Sequence, residues 1–231
     1  MKKSGFTIAE TLIVLAVIGI IAMLTMPTYI ANQRKKMYAK TLQVAVVNFQ
    51  TAMTNLISKE GVDDLLETTA WKTEDTEIFV ANIGKVLGVL SFDDNDNPSS
   101  YLPLAGTGDK INIADTINIT TKNGVEYKIN KNIGENDKKS EQETLMNNLN
   151  YTNKAATVYI DINGKVSPNI VGRDLFKFDL AVNGLLYPVG SADYNYYNDI
   201  EASDPGTECV KNLVGEYCAA YLMNNGYNMD Y

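Results

Sequence analysis

Glu10 is the first residue whose setting could carry chemistry. It is the only charge in the 21-residue apolar run Phe6–Met26, FTIAETLIVLAVIGIIAMLTM. A carboxylate at membrane depth costs on the order of 2.5 kcal/mol or more and is ordinarily kept for a partner. One turn from the start of the run, it could instead snorkel to the boundary. Cys209 and Cys218 are the only thiols, close together near the end of the chain. An even pair suggests one disulfide in an oxidising compartment, with two reduced thiols as the alternative. In an unbroken helix their Cα atoms would stand ~13 Å apart, beyond disulfide reach, so a bridge requires a bend, placed here at Gly215, before a short helix over 216–224. Two acidic stretches look like cation ligands. Asp93-Asp94-Asn95-Asp96-Asn97-Pro98 offers three carboxylates but lacks the glycine and distal glutamate of an EF-hand, and reads first as a solvated turn. Asp161, Asn163 and Asp174 bracket a turn-rich connection and could converge on a cation, although such side chains more often cap backbone amides. No cofactor is expected, calcium being the one metal these groups could take.

Whole classes of chemistry are excluded. The 231 residues include no histidine. Ser-His-Asp and Cys-His nucleophiles, His-ligated zinc or haem and imidazole switches are therefore ruled out. There is no glycine-rich phosphate loop and no nucleophile motif. Arginine occurs only as Arg34 and Arg173, which removes most bidentate phosphate recognition. Charge is unevenly spread. Lys2, Lys3, Arg34, Lys35, Lys36 and Lys40 lie in the first forty positions with the single acid Glu10. Of the 20 basic and 28 acidic groups in the chain, this leaves 14 and 27 for the rest, a net of −13. So acidic a body repels phosphate backbones and argues against nucleic acid as a partner.

Met1-Lys-Lys-Ser-Gly5 is a short basic leader, and the apolar run behind it would make a helix ~30 Å long, the thickness of a bilayer's hydrocarbon core. Thr25-Met26-Pro27-Thr28-Tyr29 is a poor match to a secretory cleavage site, leaving an uncleaved signal anchor as the plain alternative. Lys-Lys-Ser-Gly followed by Phe6-Thr-Ile-Ala-Glu10-Thr-Leu-Ile-Val-Leu15 closely resembles the processing motif of type IV prepilins and type II secretion pseudopilins. The match covers only the first ~25 residues, but Gly-Phe-Thr-x-x-Glu before such a run is highly specific.

The resemblance implies a sequence of events. A cytoplasm-facing prepilin peptidase would cut between Gly5 and Phe6 and methylate the new Phe6 amine, and the helix would be retained. Glu10 would neutralise the Phe6 ammonium of an adjacent subunit, since two groups costly alone in a low dielectric become tolerable together. Gly19 and Pro27 match helix-weakening positions of the family, and the segment between them could extend on assembly. The implied partners are other pilin or pseudopilin subunits, in a homo- or hetero-polymer, the peptidase and an assembly platform protein. The implied location is the cytoplasmic membrane, a single pass with the N-terminus inside and the head outside, then a periplasmic or cell-surface filament. Flanking charge opposes this, because Arg34, Lys35, Lys36 and Lys40 outnumber Lys2 and Lys3. Motif and disulfide both demand the head outside, and we follow them.

Beyond Pro27, Leu42, Val46, Phe49, Met53 and Leu56 recur at helical spacing, with Ala45, Ala52 and Ile57 widening the stripe and Lys40, Gln43, Gln50 and Thr54 opposite. This predicts an amphipathic continuation that ends near Gly61 and packs on a sheet. Residues 62–92 read as one or two further helices. Strands are predicted at 117–121 and 125–129 around Asn123-Gly124, then at 157–162 and 175–182, with Asn183-Gly184 turning into 185–189. Residues 131–153 read as a polar insertion with a short helix at 142–149, and 190–208 as a tyrosine-rich loop that could contact other subunits.

The expected fold class is α+β: a long helix, half membrane and half amphipathic, on an antiparallel meander of about four strands, closed by a disulfide-pinned helix. The division is leader 1–5, transmembrane and assembly helix 6–27, amphipathic helix 28–61 and head 62–231. The expected function is structural rather than enzymatic, a subunit of a type IV pilus-like filament or type II secretion pseudopilus. The alternatives are a minor type IV pilin, a DNA-uptake pilin, or an anchored enzyme or ligand-binding domain. The acidic body disfavours DNA uptake. The Asp161–Asp174 segment looks like one recurring in C-terminal halves of pseudopilin-like proteins and tips the reading towards secretion.

Overall fold

A computed structural model describes residues 7–93, 99–131, 154–189, 209 and 214–231. Helix α1 runs unbroken from Ile8 to Glu60, 53 residues and therefore about 80 Å, and stops at Gly61. Neither Gly19 nor Pro27 interrupts it. Proline leaves one carbonyl without its intrahelical donor, a loss a long helix can absorb. The first buried residue of α1 is Ala39; from there Leu42, Ala45, Val46, Phe49, Ala52, Met53 and Leu56 form the stripe read from the sequence. Gln50 and Thr54 lie at its margin rather than on the outer face, and Gln50 Nε2 donates to the Leu186 carbonyl at 3.3 Å.

After a 3-10 turn at Leu65–Glu67 come α2 (Thr69–Lys72) and α3 (Thr76–Leu87). Trp71 anchors this corner, edge-on to Phe79 at 5.2 Å and donating from Nε1 to the Ala155 carbonyl. The helical reading of 62–92 overruns. Gly88 takes a left-handed φ of 67°, which terminates α3, and Val89–Asp93 becomes β1.

The main sheet has six antiparallel strands rather than about four, in the order β1–β4–β5–β6–β7–β8. After β1 these are β4 (Ile117–Thr121), β5 (Glu126–Asn130), β6 (Lys154–Asp161), β7 (Leu175–Ala181) and β8 (Leu186–Pro188). A separate pair, β2 (Ser99–Tyr101) and β3 (Ile111–Ile113), adds two more. The meander read at 117–189 is present, and the excess comes from β1 and from runs of three residues, too short to show a period.

Register explains the layers. Ile119, Tyr127, Ile160 and Phe176 stand in one cross-strand row, with Ile129, Val158 and Phe178 in the next. Both rows pack against α1; Tyr127 OH reaches the Ala45 carbonyl at 3.0 Å and its ring lies 5.2 Å from Phe49. Because strand side chains alternate, the opposite face carries Glu126, Lys128, Tyr159, Asp161, Lys177 and Asp179.

Cys209 and Cys218 are bridged, with Cα atoms 4.7 Å apart, and Cys218–Asn224 forms the terminal helix α4. Gly215, where the bend is expected, takes a left-handed φ of 93°, and residues 210–213 lie outside the described residues. The expected insertion at 131–153 with its helix at 142–149 (Lys131 apart) and the tyrosine-rich loop at 190–208 lie outside the described residues.

Candidate functional site

The N-terminal helix is the candidate assembly element. Its large apolar side chains from Ile8 to Ile30 are exposed, Ile8 at 81% and Met23 at 80%, so the chain itself covers none of them. Among the described residues this is the one helix long and apolar enough to cross a membrane. The threonines in the run do not leave free donors, since Thr11 Oγ1 bonds the Ile8 carbonyl at 2.8 Å and Thr25 Oγ1 the Ile21 carbonyl at 2.9 Å. Gly19 sits with open space around it, and Pro27 lies in mid-helix. Gly5 and Phe6 lie outside the described residues.

Glu10 has a role that hydropathy alone does not reveal. Its Oε2 accepts from the Thr7 amide at 2.8 Å and from Thr7 Oγ1 at 2.9 Å, while the Glu10 amide donates to Thr7 Oγ1 at 3.3 Å. Thr7 and Glu10 thus form a capping box at the start of α1. The signal was legible as Thr7-x-x-Glu10. Orphan amides at a helix start need partners, most of all where water is excluded. Both Thr7 donors converge on Oε2, so the carboxylate caps its own helix and still presents Oε1 to a further donor.

The candidates in the head are committed differently. Asp161 is buried; its Oδ2 accepts from Tyr101 OH at 2.8 Å and its Oδ1 from the Asn163 amide at 3.2 Å. Asp174, fully buried, accepts from the Asn169 amide at 2.7 Å and from the Ile170 amide. Asn163 Nδ2 holds the Val166 carbonyl at 2.7 Å. The three side chains come to one corner and organise the turns of the β6–β7 connection, the commoner use of such residues. Asp93 closes β1, and Asp94 and Asp96 lie outside the described residues. Among the described residues no group of three or more acidic or cysteine side chains is placed to hold a metal ion.

This corner titrates abnormally. Burial pushes the Asp161 carboxyl up to about 7; the charges of Asp174 and Glu126 add to this, and the donors Tyr101 and Asn163 oppose it. Burial also raises Asp174 and Tyr101, the latter with the negative charge of Asp161 beside it. The folded chain therefore keeps the Asp161 proton to about pH 7, whereas the unfolded chain releases it near 4. Stability from this group is complete below the unfolded value and is lost as pH rises through about 7. Asp161→Asn is expected to flatten the fall in stability across that window and to match or exceed the parent above it, by up to a few kcal/mol. Denaturant unfolding of the full chain in detergent at several pH values measures this; an unchanged pH profile would contradict the assignment.

Sequence reasoning also missed a buried ion pair. Lys128 Nζ lies 2.9 Å from Glu126 Oε2, with both side chains sealed from solvent, and it also donates to Ser99 Oγ at 3.0 Å. The alternation Glu126-Tyr127-Lys128 places both charges on one face, where Ser99 of β2 meets Lys128. Such pairs rarely add net stability, and removing one partner is costly. Further out, Lys154 pairs with Asp179 at 2.8 Å and Lys177 with Glu216, from outside the sheet, at 3.6 Å.

No protein-family model, curated protein or solved structure matches this chain.

Proposed function

We propose that the chain is a membrane-inserted structural subunit that assembles through α1 into a filament of the type IV pilus or type II secretion pseudopilus kind. The observation that carries this reading is the division of one continuous helix. Its first half is apolar on every side and buries nothing within the chain, and its second half is the centre of the head's core. A helix apolar all round needs lipid or other helices to cover it. The same segment serves in turn, in the membrane before assembly and among neighbouring subunits after it.

Glu10 supplies register. After removal of residues 1–5 the Phe6 ammonium would sit at the edge of the apolar layer, where the carboxylate of a neighbouring subunit neutralises it. Such a pair is favourable only at one axial offset between helices, because either charge alone is expensive in a low dielectric. The helix cap and the intermolecular pair draw on the same carboxylate, one through Oε2 and the other through Oε1. The acidic outer surface and the tight turn network at Asp161 and Asp174 suit a passive, rigid head; the secretion pseudopilus remains the favoured system, with a minor pilin next.

The experiment is mass analysis of the mature N-terminus. The expected species lacks Met1–Gly5 and begins with Phe6 carrying one added methyl group. Retention of Met1, or cleavage beyond Met26, would overturn the proposal.

A further inference from the structure

A cleft of about 480 Å³ opens where α1 leaves its apolar stretch and meets the head. The two arginines of the chain, far apart in sequence, both line it: Arg34 from α1 and Arg173 from the β6–β7 connection. Lys35 and Tyr38 complete the polar wall, over a floor that includes Pro27 and Ile30. Both arginines are exposed, and among the described residues neither is in an ion pair. Lys35 Nζ donates to the main-chain oxygen of Tyr231. The nearby acid is Asp230, itself held by Tyr221 OH at 2.6 Å and Asn225. Asp174, although next to Arg173 in sequence, turns inward onto the Asn169 and Ile170 amides. With Lys35 taken up by Tyr231 and Asp230, Arg34 and Arg173 are the cleft cations without an ion-pair partner among the described residues, in a body whose net charge is otherwise strongly negative.

The height of the cleft selects its occupant. From Ile8 to Pro27 a helix rises ~30 Å, enough to cross the hydrocarbon core, and Arg34 lies about 10 Å further, at headgroup level. Helical side chains lean towards the N-terminus, so Arg34, Lys35 and Tyr38 tilt back towards the bilayer. Exposed Tyr29 sits at the same boundary, where aromatic rings collect. Guanidinium groups offer paired donors that match phosphate oxygens.

We propose that this cleft binds the headgroup phosphate of an anionic phospholipid in the leaflet beside the head, held between Arg34 and Arg173 with Lys35 alongside. This rests on the reading of α1 as a membrane span. The bound lipid gives Arg34 and Lys35, two of the four basic residues after Pro27, a use other than topology. It also docks the head against the membrane surface until the subunit is withdrawn into a filament.

The test uses the full chain in vesicles of phosphatidylcholine alone and of equimolar phosphatidylcholine and phosphatidylglycerol. Flotation with the neutral vesicles comes first, and failure to float would remove the span itself and this site with it. With flotation established, native mass spectrometry of the protein released from the mixed vesicles counts retained lipids. Phosphatidylglycerol is expected to be retained over phosphatidylcholine about tenfold or more, falling about fivefold with each of Arg34→Gln and Arg173→Gln. Lys36→Gln, an exposed cation outside the cleft, is expected to leave retention unchanged. Equal retention of the two lipids would overturn the proposal, as would an equal loss with Lys36→Gln, which denotes a diffuse field. Displacement of the lipid by inorganic phosphate would assign the cleft to a free anion instead. Undiminished lipid retention in the double arginine variant, with filament incorporation lost, would assign it to a carboxylate of a second copy.

Discussion

Glu10→Leu is expected to insert in the membrane and to be cut between Gly5 and Phe6, yet to be incorporated into filaments at about one-hundredth of the parental level or less. The size follows from what the substitution leaves behind. The Phe6 ammonium of each incoming subunit would face an apolar neighbour, and an uncompensated charge in a low dielectric costs several kcal/mol. The same change also removes half of the capping box, because Oε2 no longer accepts from Thr7 while the residue-10 amide still donates to Thr7 Oγ1. Two companion variants separate these losses. Glu10→Gln keeps a side chain able to close a capping box but has no charge, and Thr7→Ala keeps the charge without the box. Capping is worth about 1 kcal/mol, so Thr7→Ala should lower incorporation by no more than about tenfold. Glu10→Gln should fall nearly as far as leucine. Fractionation of sheared filaments against membrane-retained protein gives each ratio. Normal incorporation of Glu10→Gln would show that the cap matters and the charge does not.

Gly215→Ala is expected to be the most damaging single methyl in the head. Gly215 has φ 93°, a left-handed conformation that alanine adopts only with strain. A Cβ there would lie 2.3 Å from the Val171 carbonyl oxygen and 2.7 Å from its carbon, main-chain atoms that no rotamer change can move aside. Val171 and Gly172 are held on the other side, through the bonds between Val171 and Leu102 and from the Gly172 amide to Leu175. The 214–215 segment must therefore retreat, pulling the Val214 carbonyl from the Leu104 amide and disturbing the entry to the disulfide-bearing helix. Strain and displacement together should cost about 3 kcal/mol or more. Gly106→Ala is the matched control: φ there is 72°, but nothing lies within 4 Å of an added Cβ, so only the ~1 kcal/mol of backbone strain applies. Urea unfolding of both variants under non-reducing conditions measures the difference. Equal costs would mean that the close approach at Val171 is soft.

Much of this architecture was readable in the chain, and for local reasons. The stripe from Leu42 to Leu56, the hairpin at Asn123-Gly124 and the alternation at 157–162 and 175–182 each follow from a period that holds over several residues. That the chain must bend between Cys209 and Cys218 followed from the reach of a disulfide. What escaped depended on contacts between distant segments. Leu90 and Phe92 looked like the tail of a helix because their apolar character continues that of α3; one glycine at 88 decides otherwise. Strands β2 and β3 have three residues each, and the contact of Ser99 in β2 with buried Lys128 joins segments far apart in the chain. Asp161 and Asp174 were recognised as a group, but Tyr101, which arrives from β2 to bond Asp161, was not. Nothing local links Arg34 to Arg173, and only the return of the β6–β7 connection to the base of α1 places them in one cleft. The Thr7-x-x-Glu10 box is the exception, a short-range signal overshadowed by the oddity of a charge in an apolar run.

The most direct measurement is the distance between the Phe6 amine and the Glu10 carboxylate of the adjoining subunit in density of an assembled filament. An ion pair is expected, with nitrogen and oxygen within about 4 Å of each other at every repeat. A filament in which the two groups lie about 10 Å or more apart would contradict it.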